Sequence, residues 1–400
     1  MKVLFIADTQ LDNPTSGAEQ VLNKQALGLS QKNLGVFAIT RKNGNSGCVE
    51  YNNINGVIDG CYRADAQKVI RFFISLFKIP VRIFSEFKKN SSFIASICHQ
   101  PFTFFFLIIN GKLSDIPVLY VFHSPNHEEF LLSLGNRNGY RGFPQALIRK
   151  MIEGFCLRRS RKIMVLSQYM KQKVMDIHRI PADRIVVNPG GVDLDRFKSA
   201  DNRKRLKEEL QFPVGKIHLL TIRNLEPRMG LDNLLKAILL LKNKENTVHL
   251  IIGGDGPERK NLENMIQDYG LIHDVTMTGF IRSDRLSKYY CAADFFILPT
   301  HYLEGFGLVT PESMACGTPV IGTPVGGTRE ILSGFDPQFL FEDVTPEAMA
   351  DGIKNSIESH FQYPHRYNSL RRRCREYVEN NYSWQRHVDQ LKSMIDKLFV

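Results

Sequence analysis

The chain alternates short runs of β-branched and aromatic residues with longer segments of helical periodicity, and this alternation most constrains its fold. Such a series is typical of doubly wound α/β proteins, in which helices cover a parallel sheet. Helical periodicity is clear at 231–241 and 258–269. The predicted strands are 3–7, 36–40, 93–98, 118–122 and 162–166 in the first half, and 218–222, 248–252, 275–278, 295–298 and 320–322 in the second. We therefore predict an α/β fold with a parallel, Rossmann-like sheet in each half, and we expect ligand to bind between the carboxyl ends of the two sheets.

The two halves join at a turn. Asn188, Pro189, Gly190 and Gly191 can continue neither a helix nor a central strand, so they mark a domain edge. The mostly charged stretch 198–209 follows. With 400 residues, two domains are the default expectation. We place the first domain at 1–197 and the second at 198–383.

Composition narrows the class of protein. A chain that is 43% hydrophobic and 23% charged folds as a globular protein, and no apolar run is long enough to span a bilayer. The apolar start ends at Asp8, which indicates a buried strand better than a secretion signal. The seven cysteines show no C-x-x-C spacing, so we expect free buried thiols in a reducing compartment, the cytoplasm.

The net charge of +11 calls for an anionic partner without naming it. Part of the excess lies in arginine-rich blocks around 141–162 and 371–375, for which a solvated helix face is the ordinary explanation. The segment 68–89 interleaves phenylalanines with lysines and arginines. It suits a helix on the inner face of an anionic membrane and equally suits a core helix flanked by lysines. The run 102–109 is apolar throughout and predicts a buried helix.

Two glutamates after a strand form the most informative motif. Glu304 lies in a loop with Gly305 and Gly307, and Glu312 lies in the first turn of the helix that Pro311 opens. Loop amides beside a helix start can hold a diphosphate, and carboxylates can accept hydrogen bonds from sugar or ribose hydroxyls. A favourable charge at the helix start explains Glu312 alone, but it does not explain Glu304 between its glycine-rich neighbours.

This region resembles the signature of the family 4 retaining glycosyltransferases. The likeness continues along nearly the whole chain, in the family's order. The matching segments are 17–19, 123–125, 191–197, 253–257, 304–312, 315–320, 326–327 and 382–384. The resemblance implies the GT-B fold, in which two Rossmann-like domains face each other across a cleft. It also implies that the tail, about 384–400, returns to the first domain, the acceptor domain.

The resemblance assigns donor-site roles by position. Glu304 would contact the donor sugar and Glu312 the ribose. The amides of Gly305, Phe306, Gly307 and Leu308 would face the phosphates, and the backbone of Phe280 and Ile281 would bracket the base. Gly17 would lie in a tight loop near the phosphate, with Ser16 where the family often has a second glycine.

The family's Arg and Lys that neutralise the leaving diphosphate are not both matched. Their places hold Asn224 and Met229, while Arg223 and Arg228 stand one step away and offer the same charge, with a bidentate geometry suited to phosphate. His123, after a predicted strand, would point toward the transferring sugar. His99 also ends a strand, and we interpret it as a structural histidine.

The resemblance implies hexosyl transfer from a UDP- or GDP-linked sugar, with retention, to a sugar or lipid-linked acceptor such as a cell-envelope polysaccharide precursor. We expect no cofactor and no metal, because Asp193 and Asp195 spell D-x-D only within a turn. Glu304 is the only candidate nucleophile, and the resemblance assigns it to binding donor-sugar hydroxyls. We therefore favour same-face substitution over a covalent intermediate. The alternatives are a sugar-nucleotide epimerase, a non-catalytic sugar-binding module and a nucleic-acid-binding protein. The last lacks a reading helix or interleaved exposed aromatics, so we expect no nucleic acid.

Overall fold

A computed structural model describes residues 1–44, 48–65, 69–134, 139–244, 248–360 and 363–399. The chain divides into two compact units, one of residues 1–190 and 384–400 and the other of residues 191–383. Strands and helices alternate along most of the sequence of both units. The strands are β1 (Lys2–Ile6), β2 (Gly35–Asn43), β3 (Val49–Ile54), β4 (Val57–Ala64), β5 (Ala95–Cys98), β6 (Val118–Phe122), β7 (Lys162–Val165), β8 (Ile185–Val187), β9 (Ile217–Ile222), β10 (Val248–Gly253), β11 (Val275–Gly279), β12 (Phe295–Leu298) and β13 (Val320–Gly322).

Helices connect most of these strands. They are α1 (Gly17–Gln31), α2 (Val69–Lys89), α3 (Pro101–Ile109), α4 (Asn126–Leu134), α5 (Gly139–Arg159), α6 (Gln168–His178), α7 (Arg203–Glu209), α8 (Leu231–Lys244), α9 (Arg259–Asp268), α10 (Leu286–Ala292), α11 (Val309–Ala315), α12 (Gly326–Phe335), α13 (Pro346–His360), α14 (Pro364–Asn381) and α15 (Trp384–Phe399). The predicted α/β class is confirmed, and each predicted strand is present with ends within three residues of those expected.

The first unit holds an eight-stranded sheet in the order β3-β4-β2-β1-β5-β6-β7-β8. Every pair is parallel except β3 with β4. The central strands β5 and β6 are buried along their whole length, as a parallel sheet covered on both faces requires. Helix α15 packs on α1, where Val388 lies so close to Gly28 that a Cβ there would clash with it. The carboxyl-terminal helix is therefore part of the first unit.

The hairpin of β3 and β4 was missed by the sequence analysis, as was β8. Strand β3 carries mostly polar residues that are half-buried or exposed, as an edge strand does. Its turn is Asn55-Gly56, both with positive φ, 48° and 87°. This dipeptide is the strongest short hairpin signal in a sequence, so the hairpin was predictable.

The second unit holds a five-stranded, wholly parallel sheet in the order β11-β10-β9-β12-β13. Its strands are almost entirely buried, except the edge strand β11, in which Thr276 is exposed. Because all five strands run in the same direction, the segments that follow them lie at one edge of the sheet. That edge carries the residues 223, 254, 280, 299–308 and 323.

The boundary between the units lies seven residues before the predicted one, between Gly190 and Gly191. Two contacts with the second unit hold the segment 191–197 there. Val192 forms a β-bridge with Ser383, and the ring of Phe197 packs edge-on against Tyr290 at 5.9 Å. The turn was placed correctly by its glycines, but the packing of the residues after it is not visible in their sequence.

The arginines of the 371–375 block are divided: Arg372 and Arg373 are exposed, as a solvated helix face predicts, whereas Arg371 and Arg375 bond to protein carbonyls. Arg371 is buried and bonds the carbonyl of Cys316 at 3.3 Å, and Arg375 bonds the carbonyl of Ala315 at 3.0 Å. Both therefore satisfy carbonyls at the end of α11, where cations also complement the helix dipole. Part of the positive charge is structural.

All seven cysteines are free, but Cys48 is exposed, which corrects the expectation that all are buried. The predicted helix over 102–109 is α3, and its residues alternate between buried and half-buried positions, with Ile109 exposed. Among the described residues, no helix has the length and apolar character needed to cross a bilayer.

A buried carboxylate ties α7 to the sheet of the second unit. Asp294, 1% exposed, pairs with Arg203 at 2.8 Å and Lys207 at 2.9 Å, and it accepts the backbone N–H of His218 at 2.8 Å. Burial alone would raise the pKa of Asp294, but the His218 hydrogen bonds and the two cations outweigh it and lower this pKa.

Asp294→Asn is expected to lower the free energy of unfolding of the second unit by about 3 kcal/mol at pH 7, because two cations lose their buried partner. The folded-state pKa is depressed, so this stability is complete above the unfolded-state pKa of about 3.9 and is lost as pH falls below it. Urea unfolding at pH 7, 5 and 3 should show an equal gap between wild type and variant at the first two values and a smaller gap at pH 3.

Asp284→Asn is the matched control, since Asp284 pairs with Arg282 but its side chain is 63% exposed. Its effect should stay below about 0.5 kcal/mol. An Asp294→Asn variant as stable as this control would contradict the account.

Candidate donor site at the carboxyl edge of the second sheet

The loop after β12 places Glu304 against the residue that follows β9. Nη2 of Arg223 donates to Oε2 of Glu304 at 2.5 Å, and the hydroxyl of Thr300 donates to the same oxygen at 3.2 Å. Both charged residues are 8% exposed. Oε1 of Glu304 has no partner among the described residues, so one carboxylate oxygen is left for a ligand hydroxyl.

The Arg223 guanidinium is incompletely satisfied. Its Nη2 also lies 2.8 Å from the sulfur of Met229, and its Nε is buried and has no hydrogen-bond partner in the described part of the chain. Met229 stands where the family has a lysine. Its sulfur is a weak hydrogen-bond acceptor for Arg223, so this position supplies no second cation. The structure therefore brings Arg223 and Glu304 together at this edge.

The Arg228 side chain is bonded to the loop that carries Glu304. Its Nη1 donates to the carbonyl of Leu303 at 3.0 Å and its Nε pairs with Glu226 at 3.1 Å. Leu303 has a φ of 57°, in the left-handed region where a leucine is strained. Arg228 thus holds a strained backbone immediately before Glu304, a contact that the sequence did not predict.

The segment after Glu304 offers backbone donors. The amides of Phe306, Gly307 and Leu308 donate to no protein group among the described residues. Gly307 has a φ of 79°, and a Cβ there would lie 2.6 Å from the hydroxyl oxygen of Thr328. Only glycine therefore fits here, which explains the second glycine of the motif.

Two threonine hydroxyls beside Gly307 were missed by the sequence analysis. Oγ1 of Thr310 and of Thr328 are buried, and neither bonds to any residue that the structure describes, although such hydroxyls are nearly always bonded in folded proteins. A Cβ at Gly307 would lie 3.4 Å from the first and 2.6 Å from the second. Nothing in their sequence separates them from structural threonines, because only the fold brings α12 to this loop.

Glu312 is buried one helical turn further on. It is 6% exposed, and the hydroxyl of Tyr290 donates to its Oε2 at 3.0 Å. Burial raises the pKa of Glu312 to about 7, against the opposing effects of Tyr290 and of Arg196. The carboxyl therefore titrates close to neutrality, and Tyr290 is a partner that the sequence did not reveal.

The predicted base-binding residues occupy the loop after β11 and differ in exposure. The ring of Phe280 is 71% exposed, whereas Ile281 is buried against Gly253. A large apolar ring in solvent at the same sheet edge is available for stacking. Of this pair, only Phe280 offers a side chain to a ligand.

The first unit places its predicted residues on other elements. Gly17 begins α1, and Ser16 is the helix N-cap, in a capping box with Glu19. This N-cap role explains why Ser16 stands where the family often has a glycine. His123, after β6, is half-buried, and its Nε2 lies 3.0 Å from Nδ1 of His99. His99 therefore supports His123 directly, which is more specific than the structural role expected of it.

A polar cavity of about 400 Å³ opens at the carboxyl ends of β1, β2 and β4. Its lining carries both signs of charge: Asp8, Thr9, Gln10, Glu19, Arg41, Lys42, Asn43 and Arg63. Asp8 accepts the amides of Phe102 and Thr103 at 2.8 and 2.9 Å, so this acid is committed to the start of α3.

Within the described parts of the chain, Arg41 is the cation of this cavity whose guanidinium has no ion-pair partner. Lys42 pairs with Asp12 at 3.0 Å and Arg63 with Glu50 at 2.6 Å. Arg41 lies over the Phe72 ring at 5.3 Å, and its Nε is buried with no partner. A half-buried cation without a counter-ion favours an anionic ligand.

The D-x-D segment is explained by its turn. Oδ1 of Asp193 accepts the backbone N–H of Arg196 at 3.2 Å, and its carbonyl accepts that of Phe197 at 2.8 Å. Among the described residues, no group of three or more His, Cys, Asp or Glu side chains is placed to hold a metal ion.

Comparison with known structures supports the same architecture. Sucrose-phosphate synthase from Thermosynechococcus elongatus superposes with a TM-score of 0.80 at 20% identity, covering 100% of this chain and 99% of that one. HepE from Anabaena, in complex with UDP, superposes with a TM-score of 0.76 at 17% identity, covering 100% of both chains. At these identities the likeness shows the fold, and the two-unit α/β chain has the GT-B fold.

Comparison of sequences leads to the family. The D-inositol 3-phosphate glycosyltransferase of Arthrobacter sp. (strain FB24) is 37% identical over 157 residues, 38% of this chain and 37% of that protein. The chain spans about half the length of the curated relatives that it matches. Residues 15–196 match the Glycosyltransferase Family 4 model and residues 202–381 match the Glycosyl transferases group 1 model. The chain therefore belongs to the group 1 glycosyltransferases, with a family 4 amino-terminal half.

Proposed function

We propose that this protein transfers a hexose from a nucleotide diphosphate sugar to an acceptor hydroxyl, with retention of the anomeric configuration. The observation that carries the proposal is the loop after β12. It offers a buried carboxylate with one free oxygen, Oε1 of Glu304, and the unpaired amides of Phe306, Gly307 and Leu308. A sugar needs acceptors for its hydroxyls and a diphosphate needs donors, and this loop supplies both in sequence.

The donor is a UDP- or GDP-linked hexose laid along the sheet edge. Its sugar hydroxyls bond to Glu304, its diphosphate to the loop amides, and its ribose to Glu312. Phe280 lies beside the base. The UDP in the HepE structure supports a uridine nucleotide, although that ligand belongs to a protein of 17% identity.

The transfer step rests on stabilising the leaving group. The bond from the anomeric carbon to the phosphate oxygen breaks, and a bond to the acceptor oxygen forms on the same face. The departing phosphate oxygen takes the acceptor proton. The loop amides and Arg223 stabilise the negative charge that develops, which is the largest single contribution a protein makes to such a step. No cofactor or metal is invoked, because these donors are protein groups.

Glu304→Gln is expected to lower the release of nucleotide diphosphate from the preferred donor by about 100-fold in kcat, because it removes a charged contact made to the reacting sugar. The Kd of the free nucleotide diphosphate should change less than about threefold, because Glu304 faces the sugar rather than the phosphates. Calorimetric titration with UDP, GDP and ADP gives the Kd values, and a panel of the corresponding sugars gives the rates.

Glu226→Gln is the matched control, because it neutralises a glutamate that pairs with an arginine at the same sheet edge but is more exposed. Urea unfolding of both variants separates lost activity from lost stability. Wild-type rates in a folded Glu304→Gln variant would contradict the proposed role and favour a non-catalytic sugar-binding module.

The acceptor site is proposed at the cavity of the first unit, and its chemistry indicates an anionic acceptor. Arg41 supplies an unpaired cation, while Gln10 and Thr9 offer groups for hydroxyls. A phosphorylated sugar or polyol, or the phosphate of a lipid-linked sugar, meets both requirements. The name of the Arthrobacter relative, an inositol phosphate glycosyltransferase, supports an acceptor of this class.

Arg41→Gln should weaken binding of inositol 3-phosphate by about tenfold or more, because it removes the charge-assisted bond to the phosphate. Calorimetry with inositol 3-phosphate and with inositol isolates the phosphate contribution. Arg158→Gln, the loss of an exposed arginine in the same unit, should leave both affinities unchanged. Equal phosphate preference in wild type and Arg41→Gln would refute an anion site here.

We also propose a peripheral association with the inner face of the cell membrane, which would leave the protein in the cytoplasm. Apolar side chains of α2 are exposed, at 47% for Phe73, 49% for Ile74 and 44% for Phe77, although Leu76 and Ile83 of the same helix are buried. Helix α5 exposes more of the same kind: Phe143, Leu147, Ile148 and Met151. Both helices also carry exposed basic residues, among them Lys88 and Lys89 at the end of α2 and Arg158 and Arg159 at the end of α5, and this combination fits an anionic bilayer surface. Lys68, at the start of the predicted segment, lies outside the described residues.

The triple variant Phe73→Ser, Ile74→Ser, Phe77→Ser should lose at least about tenfold in binding to phosphatidylglycerol vesicles, because each apolar side chain that enters the bilayer contributes about 1.5–3 kcal/mol. Co-sedimentation measures the bound fraction. Val214→Ser with Ile272→Ser removes exposed apolar side chains from the second unit and should have no effect. Failure of the wild type to bind anionic vesicles, or equal binding by the triple variant, would overturn this assignment.

A further inference from the structure

A continuous chain of hydrogen bonds runs through the interior of the first unit and ends at His123. Nδ1 of His387, on α15, lies 2.7 Å from the carbonyl oxygen of Pro189. Nε2 of His387 lies 2.9 Å from the side-chain nitrogen of Gln25, and the side-chain oxygen of Gln25 lies 3.1 Å from Nε2 of His99. Nδ1 of His99 lies 3.0 Å from Nε2 of His123. These hydrogen bonds link residues from the start, the middle and the end of the sequence.

The carbonyl at one end sets the direction of every bond. A carbonyl only accepts, so Nδ1 of His387 carries a proton and, in the neutral ring, Nε2 accepts from Gln25. The Gln25 oxygen then accepts from Nε2 of His99, whose Nδ1 is left as an acceptor. His123 must therefore carry its proton on Nε2 and donate it to His99.

The opposite orientation of Gln25 is excluded by charge. If its oxygen faced His387, that ring would need protons on both nitrogens and become a cation. His387 is 1% exposed, and no carboxylate among the described residues lies against it. An unpaired buried cation costs several kcal/mol, so the neutral arrangement prevails.

The burial of the three histidines that these hydrogen bonds connect also favours their neutral form. It lowers the pKa of His387 to about 4, against the opposing hydrogen bond to Pro189. Burial and then the neighbouring His387 lower the pKa of His123 to about 4. Burial, His123 and His387 lower that of His99. All three histidines are therefore uncharged at neutral pH.

We propose that Gln25, His99 and His387 are positioning residues that lock His123 in the Nε2–H tautomer, so that His123 presents only the Nδ1 lone pair to a ligand. Nδ1 has no partner among the described residues. A group facing it must donate, so it is a hydroxyl of the sugar or of the acceptor rather than a phosphate or carboxylate oxygen. His123 then selects for a hydroxyl and repels a misplaced anionic group.

The tautomer follows from the hydrogen-bond geometry and the burial of His387, whereas the hydroxyl as the partner of His123 rests on the proposed function. The two parts are tested separately. Histidine-selective ¹⁵N labelling of the full chain, with long-range ¹H–¹⁵N correlation at pH 7, reads the protonation of each ring nitrogen. The His99, His123 and His387 signals are assigned by their loss in single His→Gln variants.

The expected spectrum shows His387 protonated on Nδ1 and both His99 and His123 protonated on Nε2. His123 protonated on Nδ1, or His387 carrying two protons at pH 7, would overturn the proposal. This measurement uses the wild-type protein and does not require that the chain transfer sugar.

Gln25→Glu provides an internal test of direction. A carboxylate only accepts, so His387 must then donate from both nitrogens, and we expect it to become doubly protonated at pH 7 while His123 keeps its tautomer. His249, which bonds Thr276 at 2.8 Å in the second unit, is the control and should not change. A singly protonated His387 beside a protonated carboxyl group at position 25 that donates to its Nε2 would keep the direction assigned, whereas His123 protonated on Nδ1 in a folded Gln25→Glu variant would refute it.

Gln25→Met removes the link and tests its consequence for the reaction. We expect kcat for donor turnover to fall by at least about tenfold, with the Kd of UDP or GDP within twofold of wild type. An unchanged kcat would refute the positioning role while leaving the spectroscopic result intact. If the wild type turns over no nucleotide sugar, the proposed function fails and the tautomer assignment stands.

Discussion

Parallel strand pairing in the second unit is the constraint on which the site depends. All five strands run in one direction, so the residue after β9 and the loop after β12 meet at one edge although 81 positions separate Arg223 from Glu304. The ion pair between Arg223 and Glu304 is almost fully buried. Removing one partner of such a pair costs more folding free energy than the intact pair contributes, because the other charge is left buried and unpaired. The edge is therefore held in a single arrangement before any ligand arrives, and a preformed arrangement is what leaving-group stabilisation requires.

The two units solve the problem of buried polar groups differently. In the second unit, Asp294 and the Arg223–Glu304 pair place full charges inside, each matched by an opposite charge. In the first unit, neutral histidines and Gln25 form a directional chain that ends on a backbone carbonyl. Both solutions fix one geometry, and each leaves an atom of a predicted site residue without a partner among the residues described: Oε1 of Glu304 in one unit and Nδ1 of His123 in the other. The hydroxyls of Thr310 and Thr328 extend the unpaired set in the second unit.

Much of the fold was predictable because periodicity and glycine placement are local. The strands, the parallel sheets, the Asn188–Gly191 turn and the glutamate loop all follow from residues near in sequence. What could not be predicted depends on distant contacts. The pairing of Arg223 with Glu304, of Tyr290 with Glu312 and of Arg228 with Leu303 joins segments whose proximity only the fold determines. The hairpin at Asn55-Gly56 is different, because its local signal was present and was missed.

A structure of the chain crystallised with UDP or GDP, whichever nucleotide binds, tests the central claim most directly. The account predicts the diphosphate within hydrogen-bond distance of the amides of Phe306, Gly307 and Leu308, with the ribose hydroxyls at Glu312. A nucleotide bound elsewhere in the chain, or a diphosphate held by side chains far from this loop, would contradict it.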